Sequence, residues 1–64
     1  MNNTTVREAN RALDSFRYVF ATVAGQRIRI IRARTRAGRL QVKPLNPAPT
    51  EWVDADAGSL EVNR

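Results

Sequence analysis

Between residues 26 and 45 the chain carries seven cations, Arg27, Arg29, Arg32, Arg34, Arg36, Arg39 and Lys43, and no acid. Residues 46 to 63 reverse the sign, with Glu51, Asp54, Asp56 and Glu61 and no base. Ten of the eleven basic residues are arginine, and the net charge is +5. A guanidinium fork matches phosphate and carboxylate geometry and stacks on flat rings. The chemistry on offer is therefore recognition of an anion rather than the making or breaking of bonds. A genome of high GC content would write the same preference for arginine, so composition alone also admits a merely solvated face.

Other chemistry has little to work with. Asp54 and Asp56 lie two apart at a strand end, hence on one face, where paired carboxylates can serve acid–base catalysis or hold a divalent ion. The simpler role for Asp56 is to cap the turn at Ala57-Gly58-Ser59. There is no histidine and no cysteine. Ser15, Ser59 and the threonines thus lack an imidazole to activate them, and disulfides and the common zinc sites are excluded. Gly25, Gly38 and Gly58 are too scattered to form a phosphate-cradling loop. The expectation is a binding protein, not an enzyme, with no catalytic residue, metal or cofactor.

At 64 residues the chain is one domain. A chain of this size buries only about 60% of the surface its unfolded state exposes, and small domains commonly gain stability from disulfides, metals or partner chains. With the first two excluded, a homo-oligomer or docking on a larger body is the expected support. Met1 to Thr5 is polar and uncharged, with no apolar stretch of the signal-peptide kind behind it. The longest apolar run, Tyr18 to Ala24, is far too short to span a bilayer. A soluble, cytoplasmic protein is expected, with no membrane partner; it would be virion-associated if it were a phage structural protein.

The elements that must hold the arginines can be read from spacing. Thr5-Val6-Arg7-Glu8 fits a helix capping box, in which hydroxyl and carboxylate each satisfy a free amide of the first turn. Val6, Ala9, Leu13, Phe16 and Phe20 recur at steps of three and four, giving one apolar stripe. Arg7, Asn10, Arg11 and Asp14 occupy the other faces. This predicts a helix from about Val6 to Ser15, with Leu13 and Phe16 buried. An isolated helix of that length is not stable in water. Its stripe, Val6, Ala9, Leu13 and Phe16, must therefore close one open end of a small β-barrel or dock on a neighbouring subunit.

Arg17 to Ala24 is rich in β-branched and aromatic residues and reads as a strand turned by Ala24-Gly25-Gln26. Tyr18 and Phe20 alternate with Val19, which places one set towards the core and the other towards the helix. In Arg27 to Arg36 the arginines do not keep one parity, because the phase slips between Ile30 and Ile31. A β-bulge there restores it. Ile28, Ile30 or Ile31, Ala33 and Thr35 then face inward, and every arginine faces out. Ala37-Gly38 makes the next turn, and Arg39 to Lys43 returns with Ala33 opposite Val42, Thr35 opposite Leu40, Arg34 opposite Gln41 and Arg32 opposite Lys43. A slip by one residue would bury the arginines, which specifies this register.

Pro44-Leu45-Asn46-Pro47-Ala48-Pro49 reads as a rigid, partly polyproline connector rather than a central strand. Thr50 to Asp54 is a short strand, Asp56 to Ser59 one helical turn, and Leu60 to Val62 a last strand. Trp52 is expected at the core or its edge.

The segment Glu51-Trp52-Val53-Asp54-Ala55-Asp56-Ala57-Gly58-Ser59-Leu60-Glu61-Val62 resembles the end of an SH3-like barrel, where one helical turn joins the last two strands. The resemblance covers residues 18 to 63. It implies a mainly β fold, a small five-stranded SH3-like barrel over residues 18 to 64, preceded by one N-terminal α-helix within residues 1 to 17. The aromatic groove and acidic loop of the proline-peptide binders are missing. The chain is more similar to the basic barrels of ribosomal, KOW-type and chromatin-type domains, which implies binding to nucleic acid or to docked proteins.

Strand neighbours on one face stand about 7 Å apart, so the arginine ladder repels itself unless something offsets it. Phosphates would do so, with salt-sensitive affinity. So would an acidic protein surface, or this chain's own acidic end, in cis or from a neighbouring copy. The first expectation is a small basic module that contacts the phosphate backbone of DNA or RNA through the arginine hairpin. The alternative is a structural or adaptor protein, such as a virion assembly component or a phage-encoded modulator that binds an acidic host-protein surface.

Overall fold

A computed structural model describes residues 4–45 and 51–63. Helix α1 (Val6–Asp14) is followed by strands β1 (Val19–Val23), β2 (Gln26–Arg36), β3 (Arg39–Pro44), β4 (Val53–Asp54) and β5 (Glu61–Val62). All pair antiparallel in one sheet of order β4-β3-β2-β1-β5. The fold is mainly β, five strands with one N-terminal helix.

The expected closure into a barrel is not found. Among the described residues the edge strands β4 and β5, two residues each, do not pair with one another. Single hydrogen bonds bridge the gap instead. Ala55 N–H donates to the Leu40 carbonyl and Asp56 N–H to the Thr22 carbonyl, each at 2.9 Å. Thr22 N–H in turn donates to Ser59 Oγ at 3.1 Å. Strands this short cannot build a closing ladder, and the helix covers the open side.

Helix α1 begins as its sequence predicts. Glu8 N–H donates to Thr5 Oγ1 at 3.1 Å and Thr5 N–H to Glu8 Oε1 at 3.4 Å, completing the capping box. The helix lies on its own sheet. Ala9 and Ala12 are buried against Val19, Ala21, Ile30, Ala33, Val42 and Leu60, with Val6 and Leu13 packed on that cluster. Four of these eight buried residues are alanine, so the helix approaches the sheet closely. The other four are Val19, Ile30, Val42 and Leu60, and burying a Val, Leu or Ile stabilises by about 1.5–3 kcal/mol each.

Asn10, assigned to a solvent face by its place in the helical repeat, pins helix to sheet. Its Nδ2 donates to the Ala33 carbonyl at 2.9 Å, and Ala33 N–H donates to its Oδ1 at 3.0 Å. Strand β1 pairs with β2 only as far as Ile30. The Asn10 amide therefore replaces the missing strand at Ala33, whose backbone groups would otherwise lack partners near the core.

Phe16 departs from expectation. It does not complete the buried stripe. The helix ends in a Schellman motif: Phe16 N–H donates to the Leu13 carbonyl at 3.0 Å and Arg17 N–H to the Ala12 carbonyl at 2.9 Å. Phe16 fills the position usually held by glycine, with φ 61°. A left-handed backbone costs a residue bearing Cβ about 1–2 kcal/mol. The turn swings the ring away from the sheet, and it is 94% exposed. Phe20 belongs to β1 and takes no part in the helix stripe.

The bulge falls where the phase slip requires it. Ile30 pairs with Pro44 and Arg32 with Lys43, leaving Ile31 as the extra residue. The expected pairs Ala33–Val42, Thr35–Leu40, Arg34–Gln41 and Arg32–Lys43 all occur. Ile30 and Ala33 are buried and Ile28 partly so. Thr35 is exposed, because it lies near the hairpin tip, past the cover of the helix. Both tight hairpins have positive φ at both turn residues, 52° and 78° at Ala24-Gly25, 53° and 75° at Ala37-Gly38. That geometry matches the right-handed strand twist.

Pro44 is the last residue of β3, and the expected connector over Asn46 to Pro49 lies outside the described residues, as does the Thr50 end of the fourth strand. The turn at 57–58 is not helical. Ser59 N–H donates to the Asp56 carbonyl at 3.1 Å around Gly58, whose φ is 74°, which makes a single β-turn. The motif is too short for a helical turn once Asp56 and Ser59 are both tied to Thr22. Among the described residues no helix is long and apolar enough to cross a membrane.

Candidate functional site

The bulge brings all seven hairpin cations to one face. Ile28, Ile30, Ala33, Leu40 and Val42 point to the core side. Alternation on both sides of the bulge then sends Arg27, Arg29, Arg32, Arg34, Arg36, Arg39 and Lys43 to the opposite, outer face. A regular strand through Ile30-Ile31 would have put one half of the set inside.

Three rings share that face, and each lies beneath a cation. Arg29 stands over the Tyr18 ring with its guanidinium carbon 3.7 Å from the centroid, and Arg27 over Phe20 at 4.3 Å. The Trp52 ring takes Arg34 at 4.1 Å and the Lys43 ammonium at 5.1 Å. Tyr18 and Phe20 therefore face neither core nor helix, since Val19 and Ala21 take the inner side of β1. Trp52 is a half-buried outer-face platform, because its neighbour Val53 pairs with Val42 on the core side. Exposed cation–ring contacts contribute about 0.5–1 kcal/mol each.

Two carboxylates reach the same face from its edges. Glu61 Oε2 lies 2.7 Å from Arg27 Nη2, and Asp54 Oδ2 lies 3.6 Å from Arg39 Nη1. Arg34 Nε donates to Gln41 Oε1 at 2.9 Å, and Gln41 Nε2 to Asp54 Oδ1 at 3.1 Å. These pairs are more than two-fifths exposed, and exposed pairs of this kind contribute about 0–1 kcal/mol. The acidic end thus offsets part of the ladder in cis. Asp54 is engaged by Gln41 and Arg39 rather than set beside Asp56. Among the described residues no cluster of three His, Cys, Asp or Glu could hold a metal ion.

Arg32 and Arg36 differ from the rest. Among the described residues neither side chain makes a hydrogen bond, ion pair or ring contact, and both are exposed. They flank Arg34 along β2 and leave two guanidinium groups free beside a third that stands over Trp52.

Of the helix residues named as a docking stripe, Val6, Ala9 and Leu13 pack on the chain's own core and only Phe16 stands clear. The ring platforms were legible in parity, because Tyr18 and Phe20 oppose Val19, but which ring meets which arginine follows from the register of β1 on β2. No protein-family profile, curated protein or solved structure matches the chain.

Proposed function

We propose that this protein is a small nucleic-acid-associated module whose basic sheet face lies against a phosphate backbone. One observation carries the reading. Seven cations against two contacting carboxylates leave an excess of five positive charges on a single face, equal to the whole net charge of +5. Guanidinium groups stacked on rings are held in place before binding, so less side-chain freedom is lost when a phosphate arrives. The rings are already covered, which favours backbone contact over reading of base identity. The basic SH3-like domains that the sequence resembles supply an analogy of fold, and analogy alone does not fix a function.

The test is a fluorescence-anisotropy titration of labelled duplex and single-stranded DNA and RNA over a range of salt. The Arg32→Ser, Arg36→Ser double variant removes the two cations without internal partners and leaves the folded contacts of the face in place. The parent binds with affinity that falls steeply with salt. In the double variant affinity drops, and the slope of log K against log salt falls by about 1.8, at roughly 0.9 per lost phosphate contact. Absence of binding even at low salt would overturn the proposal. The alternative, an adaptor or structural subunit, is favoured by a separate observation at the end of the helix.

A further inference from the structure

Phe16 combines two unfavourable features in one side chain. Its backbone holds the left-handed conformation at φ 61°, where glycine is at ease, and its ring is 94% exposed. The Schellman motif explains why the backbone bends there. It does not explain phenylalanine, because every hydrogen bond of the motif is made by main-chain atoms. Backbone strain of this kind concentrates at sites that bind.

The surroundings of the ring point the same way. Phe16 stands on a shallow groove between the helix end and the bulge, lined also by Leu13, Arg17, Tyr18, Arg29 and Ile31. Ile31 is the residue the bulge extrudes, 40% exposed, and Tyr18 is 48% exposed. The chain thus buries alanines and leaves some of its largest apolar side chains together in solvent. Contiguous exposed apolar surface with a polar rim marks an interaction site. The charged residues that line this groove, Arg17 and Arg29, are both cations.

We propose that this groove docks an acidic amphipathic segment of a partner protein, with an apolar side chain packed against Phe16 and Ile31 and carboxylates placed at Arg17 and Arg29. Charge complementarity selects this occupant. A two-fold contact with a second copy would set these arginines against themselves. A head-to-tail contact would have only Glu51 and Asp56 of the acidic end to offer, on either side of a short edge strand, because Glu61 and Asp54 are engaged by Arg27 and Arg39. A nucleobase would want an open ring platform, yet one face of Tyr18 is taken by Arg29 at 3.7 Å, and Leu13 and Ile31 are aliphatic. The inference does not rest on the phosphate-binding reading: the groove shares Arg29 with the basic face, but its apolar floor and Arg17 lie outside that face, and it uses neither Arg32 nor Arg36.

The experiment is an amide-resolved NMR titration of the full chain with a panel of synthetic amphipathic helical peptides. Each acidic peptide carries Leu and Phe at i, i+3, i+4 and i+7 with Glu between them, and each has a charge-reversed twin with Lys and a scrambled twin. Saturable shifts at Arg17, Tyr18 and Ile31 are expected with the acidic peptides, at least tenfold weaker with either twin. Phe16→Gly removes the ring while relieving the backbone. It should melt at or above the parent temperature and bind at least tenfold more weakly. Phe16→Asn, which tolerates the same backbone, provides a second ring-free variant. The Arg32→Ser, Arg36→Ser protein should still bind the peptides, which separates this result from the nucleic-acid test. The proposal is overturned if no acidic peptide shifts these amides, if both Phe16 variants bind as the parent does, if an oligothymidine shifts the Phe16 ring instead, or if sedimentation shows a second copy covering the groove.

Discussion

The two faces of the sheet handle side-chain size in opposite ways. The core face is lined by aliphatic side chains and no ring, with Ala21 and Ala33 of the sheet beside Ala9 and Ala12 of the helix among Val19, Ile30, Val42 and Leu60. The outer face carries Tyr18, Phe20 and Trp52, each beneath a cation. Close approach of the helix leaves no room for rings inside. The rings moved outward are then shielded by the flat guanidinium groups and aliphatic stems of the arginines. Charge that would repel itself along a bare ladder thereby serves as cover for apolar surface. The same arginines can stabilise the fold and present a basic surface, and this is why Arg32 and Arg36, which stack on no ring, are the cations to test for binding.

The comparison breaks most readily at its inner seam. Asn10→Ala leaves the Ala33 amide and carbonyl without side-chain partners near the core. A loss of about 2 kcal/mol is expected from two unsatisfied groups. In a domain of this size that lowers the thermal midpoint by roughly 8–16 °C, which calorimetry would read. A change within 1 °C would show that water replaces the amide and that the helix is held by its alanines alone.

On the outer face Trp52→Leu keeps an apolar side chain but removes the ring under Arg34 and Lys43. The expected loss is about 1 kcal/mol, measured by urea unfolding. An unchanged midpoint would mean that the arginines shield area without any gain from the ring. The smallest effect belongs to the rim. Glu61→Gln removes the partner of Arg27 at 2.7 Å, and a loss of a few tenths of a kcal/mol is expected at low salt, vanishing at about 1 M salt, where the Debye length is about 3 Å. A loss that persisted in high salt would place the role of Glu61 in its short hydrogen bond to Arg27 rather than in long-range charge.

Much of the sheet is legible in the sequence. The phase slip at Ile30-Ile31 located the bulge, and parity around it set four cross-strand pairs and the outward face of all seven cations. The capping box located the start of the helix. The helix ends within a residue of where its spacing placed it, but the expected burial of Phe16 fails for a physical reason. A stripe at steps of three and four assumes the helix continues, whereas main-chain bonds at Ala12 and Leu13 stop it and turn Phe16 outward. Asn10 was missed because periodicity ranks residues by polarity and does not show that β1 ends opposite Ile30.

The sequence by itself determined the local pattern: which strands form, which side chains share a face and where charge accumulates. These follow from the two-residue repeat of a strand and the 3.6-residue repeat of a helix. Only the tertiary structure decided that the sheet stays open, that the helix packs on its own chain through alanines, that the rings lie under arginines, and that Phe16 stands free. Those outcomes depend on distances between segments far apart in the chain, and no local repeat carries that information.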